Sequence, residues 1–130
     1  MTLADDIGKR MSGCVWMARI NYWLAYGLLA IAVVSSSASS ILVAAGSDQW
    51  TAEQKAALAA VPGIIAVVVA TFKFAVRAEW WWGKFPGLDS LYRSLKFEGK
   101  NEHEVSKELS QFIAAINKKW PGFGDAPSGK

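Results

Sequence analysis

Apolar positions along the chain come in two long uninterrupted runs and three shorter stripes. The 28 positions from Ile20 to Ser47 carry no charged side chain, and neither do the 17 from Ala56 to Phe72. A helix needs about 20 apolar residues to cross a hydrocarbon core of roughly 30 Å, so both runs predict membrane-spanning helices. The first should extend from about Asn21 to about Ala45, with Trp16, Tyr22, Trp23 and Tyr26 near its start as headgroup-level anchors. Gly46-Ser47-Asp48 ends it. Thr51 and Gln54 have the spacing of a capping box and should open the second helix ahead of its apolar zone. Pro62-Gly63 lies inside that helix and predicts a kink between Leu58 and Gly63, because proline removes a backbone hydrogen bond and crowds the preceding turn.

The shorter stripes have helical spacing. Leu3, Ile7, Met11, Cys14, Val15 and Ala18 make residues 1–19 an amphipathic helix, and Gly8 and Gly13 leave it dependent on a membrane surface or a partner helix. Beyond Phe72 the second helix should continue through Lys73, Arg77 and Trp80-Trp81-Trp82 until Pro86. Leu88, Leu91, Tyr92 and Leu95 form one further stripe, and Val105, Leu109, Phe112, Ile113 and Ile116 another. Asn101 is an N-cap for the last helix, and Trp120-Pro121-Gly122 stops it. The expected fold is an all-α membrane protein. It divides into an N-terminal amphipathic helix (1–19), a transmembrane hairpin with a cytoplasmic extension (20–85), a cytosolic helical pair (86–123) and a flexible tail (124–130).

Composition narrows the classes of function. Residues AVILMFWYC make up 52% of the 130 and charged residues only 19%, which disfavours a purely soluble enzyme or a disordered chain. The first run is too long and starts too late for a secretory signal, despite weak cleavage-like chemistry at Ala38-Ser39-Ser40. One cysteine, Cys14, excludes an intrachain disulfide and a cysteine-based metal site. Fourteen basic against eleven acidic residues is too small an excess to suggest double-stranded nucleic acid. Lys9, Arg10 and Arg19 precede the first run and Lys73, Arg77 and Lys84 follow the second, whereas the connection holds only Lys55, so both termini are expected on the cytoplasmic side.

No enzymatic constellation is present. His103 stands alone between Glu102 and Glu104 on a predicted exposed face, Asp89 and Glu98 point away from each other, and no phosphate-binding glycine loop or nucleophile motif occurs. No catalytic residue, metal ligand or cofactor is assigned. The informative feature is Ser35-Ser36-Ser37-Ala38-Ser39-Ser40 in the middle of the first run. On an ideal helix Ser35, Ser39, Ser36 and Ser40 fall at about 0°, 40°, 100° and 140°, one broad polar face, with Leu28, Ile31 and Leu42 read as opposing it. Two uses compete: close packing through the small-residue series Ala32/Ser36/Ser40, and a narrow water-filled path in an oligomer of three to eight subunits. Each hydroxyl can also bond the carbonyl four residues back. Lys73 and Arg77 are candidates for a cytoplasmic mouth or for lipid phosphate, and Trp80, Trp81 and Trp82 for an interfacial girdle, or for one or two rings stacked on a planar ligand or on neighbouring cytosolic helices.

The tight hairpin, the aromatic and basic extension (Phe72-Lys73-Phe74 through Trp80-Trp81-Trp82) and the helical segment Leu88 to Trp120 together resemble the SLATT-type two-transmembrane effectors of bacterial anti-phage defence. The resemblance covers roughly Arg19 to Trp120. It implies an oligomeric pore in the bacterial inner membrane that depolarises the cell in abortive infection, gated by a nucleotide-type signal or by the separate enzyme that makes it. The serine-dense first helix and the missing sensor domain depart from that pattern. A non-conducting adaptor that docks a cytosolic partner enzyme is the competing expectation.

Overall fold

A computed structural model describes residues 1–46, 48–124, 126 and 127. Four helices follow in chain order: α1 (Leu3–Ala44), α2 (Ala52–Phe72), α3 (Phe74–Lys96) and α4 (Glu102–Asn117), with no strand among the described residues. They form two compact units. The head comprises Met1–Tyr22 and Ala75–Lys130, and the hairpin comprises Trp23–Phe74.

Helix α1 runs through residues 19/20, where the amphipathic stretch gives way to the apolar run, as one helix of 42 residues. Neither Arg19 nor Ile20 breaks a helix, and the amphipathic stripe passes directly into the apolar run. Thr2 and Asp5 close its N-terminus: the Thr2 N–H donates to the Asp5 carboxylate (3.0 Å) and the Asp5 N–H to the Thr2 hydroxyl (3.2 Å). Hydrogen bonding of its charged form by the Thr2 backbone N–H and then by the Thr2 side chain holds the Asp5 carboxyl below its usual range. The expected box at α2 is present in full, with Thr51 and Gln54 exchanging bonds of 3.0 and 3.2 Å.

Two expected boundaries are corrected. Helix α2 does not continue into the tryptophan segment. Lys73 takes a left-handed conformation (φ 49°, ψ 45°), its N–H donates to the Val69 carbonyl at 3.0 Å, and α3 starts afresh at Phe74. The run Val67-Val68-Val69 is a poor helix former, and the Phe72 and Phe74 rings stack across the left-handed residue at 5.6 Å. Conversely, Pro86 does not stop a helix, because α3 continues through it for ten more residues to Lys96. Its buried side chains explain why the register persists. Trp80, Lys84 and Leu88, four residues apart, are withdrawn from solvent on both sides of the proline.

The head core consists of Ile7, Cys14 and Ala18 from α1, Trp80, Trp81 and Leu88 from α3, and Val105 and Leu109 from α4. The amphipathic first stripe thus finds its cover in partner helices. Burying Ile7, Leu88 and Val105 completely contributes about 1.5–3 kcal/mol each relative to leaving them exposed. Ala126 packs against this core, so the expected flexible tail is in part anchored; residues 125 and 128–130 lie outside the described residues.

Candidate functional site

Within the hairpin, the half-buried and buried positions of α1 include Leu28, Ala32, Ser35, Ser39 and Leu42, alternating steps of four and three that place them on one side of the helix, with Ala25, Gly27 and Ala38 also half-buried. Ser35 is the most enclosed, at 8% exposure. Leu58, Val61, Ile65 and Val68 form the corresponding enclosed series on α2. This corrects the reading of Leu28 and Leu42 as opposing the serines: each is seven residues from Ser35, two helical turns, and so shares its side. Ile31 is exposed. The structure therefore divides the serine group, with Ser35 and Ser39 on the enclosed side and Ser36, Ser37 and Ser40 on the outer surface. There they stand among Leu29, Val33, Val34, Ile41 and Val43, all exposed. Ser40 satisfies its proton by donating to the Ser36 carbonyl at 3.0 Å, the expected back-bond. Both α1 and α2 are long and apolar enough to cross a bilayer.

Lys73 and Arg77 were expected one turn apart on a single helix, but the left-handed break at Lys73 puts them on different elements. Lys73 is exposed. Arg77 belongs to the head, where its guanidinium lies 5.5 Å from the Trp120 ring centre. The tryptophan triplet divides as well. Trp82 is exposed, whereas Trp80 and Trp81 are buried in the head core. Consecutive residues on a helix point about 100° apart, and both can be buried because the core receives side chains from α1 and from α4. Trp80 packs edge-on against Trp81 (4.8 Å between centres) and Trp120 (4.7 Å), and its indole N–H donates to the Ile116 carbonyl at 2.9 Å. That bond ties α3 to the end of α4.

The sequence reading missed Lys84 as a site residue. Only 3% exposed, it holds its ammonium 4.9 Å from the Trp80 ring centre and 5.4 Å from that of Trp81. Its position was legible in principle, since it stands one turn beyond Trp80 and Trp81 and one turn before Leu88 on the buried side of α3. Burial pushes its pKa down, partly opposed by the nearby Cys14, and the same burial pushes the Cys14 thiol up. The two indole faces attract the ammonium by about 0.5–2 kcal/mol each, more the less water reaches it. A pocket of about 360 Å³ opens beside these residues, with Lys84, Trp81, Cys14 and Met17 along its wall, the charged side chains Lys9, Arg10 and Asp6 around it, and Met1 and Gly13 completing it. The Arg10 guanidinium donates to the Asp6 carboxylate at 2.9 Å. His103 is exposed in the first turn of α4, where its backbone N–H donates to the Asn101 cap. Among the described residues no group of three His, Cys, Asp or Glu side chains could hold a metal ion. No known family, no characterised protein and no solved structure matches the chain.

Proposed function

We propose that the chain is a self-associating membrane effector. Its hairpin spans the bacterial inner membrane with both termini in the cytoplasm, several copies assemble a narrow ion path, and the head governs whether that path opens. One observation carries this reading: Ser36, Ser37 and Ser40 lie on the outer surface of the hairpin, among the exposed apolar side chains Leu29, Val33, Val34, Ile41 and Val43 of the same helix. In lipid such a surface is best satisfied against other copies, and hydroxyls meeting around an axis provide a wetted path for small ions. The resemblance to SLATT-type effectors supports the same reading and supplies its setting, depolarisation in anti-phage defence under a nucleotide-type signal.

Planar bilayer recording of the purified full chain tests it, with oligomer size followed by light scattering. The wild type should conduct. Ser36→Leu/Ser40→Leu should abolish current, and Ser36→Ala/Ser40→Ala should assemble normally with altered unitary conductance or ion preference. A monomeric wild type, or one that assembles without current, would replace this reading with that of a non-conducting adaptor. Wild-type conductance and selectivity in the Ala variant would remove the serines from the path.

A further inference from the structure

The head contains a positive charge that no acidic side chain answers. Lys84 is 3% exposed, and among the described residues its ammonium has no carboxylate within 4.0 Å and no hydrogen-bond acceptor; its partners are the Trp80 and Trp81 ring faces. Aromatic faces attract the charge without accepting its protons. The side chain lines a pocket of about 360 Å³, at the lower end of the range for small-molecule sites. Three basic side chains, Lys84, Lys9 and Arg10, meet one carboxylate there, Asp6, which Arg10 already engages. Three positive charges less one negative leave an excess of two. The Cys14 thiol does not supply the missing anion, because burial favours its protonated form. Trp81 and Met17 add an apolar wall suited to the uncharged remainder of a ligand.

We propose that this pocket binds a phosphate-type oxyanion, held by Lys84 and Arg10 and carried on an apolar or planar group that lies against Trp81 and Met17. The charge excess matches a dianionic phosphate monoester, which a soluble phosphorylated small molecule or a phosphatidic acid headgroup could present. The inference deepens the proposed function by naming an entry point for a signal. It rests on that function for the meaning of the ligand and not for its binding, and its test reads no current.

The full chain is placed in nanodiscs of pure phosphatidylcholine and titrated calorimetrically with phenyl phosphate. In parallel, chain purified from vesicles containing one tenth phosphatidic acid is assayed for retained lipid by native mass spectrometry. Lys84→Met keeps the stem and removes the charge, and circular dichroism reports whether helix content is unchanged. Binding in the first arm that falls at least tenfold in Lys84→Met identifies a soluble ligand, whereas phosphatidic acid retained by the wild type and lost from Lys84→Met identifies the lipid. Arg10→Gln, outside the core, should weaken the same binding at least threefold and decides the matter if Lys84→Met does not fold. No binding in either arm, or binding that the folded variants leave unchanged, overturns the site.

Discussion

Gly87 offers the sharpest test of how the head is packed. A Cβ placed there would meet the Phe112 ring at 2.2, 2.3 and 3.0 Å from three of its carbons. Ordinary carbon contacts lie at about 3.5–4.0 Å, so the ring would have to retreat by more than 1 Å, roughly the gap between those distances. Overpacking of this kind costs about 1–3 kcal/mol. Replacing a mid-helix glycine with alanine returns about 0.8–1.0 kcal/mol through helix propensity. Gly87→Ala alone should therefore be neutral to destabilising by about 2 kcal/mol, the range set by how far half-buried Phe112 can swing outward. In a Phe112→Leu background the offending ring edge is gone, and Gly87→Ala should stabilise by about 0.8–1.0 kcal/mol, propensity alone remaining. The assay is a double-mutant cycle by denaturant unfolding of the full chain in micelles, monitored by tryptophan fluorescence. A coupling energy of about 1–3 kcal/mol supports the contact. Equal stabilisation by Gly87→Ala in both backgrounds would refute this account of the α3–α4 approach.

Two further outcomes are expected. Because burial lowers the Lys84 pKa, the destabilisation it causes is complete below the folded-state value and is relieved as pH rises toward the ordinary 10.5. In a Cys14→Ala background, which removes the oppositely shifted thiol, any stability gain from Lys84→Met should shrink between pH 7 and 10.5; a constant or widening gap contradicts the assignment. For topology, cysteine at Gln49 in the same background should react with an impermeant maleimide on intact cells, and cysteine at exposed Ser106 only after lysis. The reverse pattern would invert the proposed orientation.

The two long apolar helices and the Thr51 cap were readable because each rests on local information: an unbroken apolar run, or four residues whose side chains close on their own backbone. Boundaries that depend on partners were not. Pro86-Gly87 has the composition of a stop, yet both residues lie within α3, and a Cβ on the glycine would run into the Phe112 ring of α4. The Lys73 break carries no glycine or proline to announce it, and only the Phe72–Phe74 stack shows what accompanies it. Three adjacent indoles cannot share one face, so the triplet read as a membrane girdle or as one or two rings packed on neighbouring helices; Trp80 and Trp81 do the latter, in a core that meets α3 with side chains of both α1 and α4. Lys84 was passed over for a related reason. A lone lysine in a sequence reads as solvated, and its burial follows only once α1 and α4 have closed around α3.

Cys14 has a consequence for how copies of the chain could be linked. At 2% exposure its sulfur is enclosed by the head core, and burial keeps it largely as the thiol, the form that does not attack disulfides or oxidants. The only covalent link two copies could make through cysteine is therefore closed to them while the head is folded. The proposed assembly would then be held by non-covalent contacts, its population following concentration by mass action and indifferent to the redox state of the compartment.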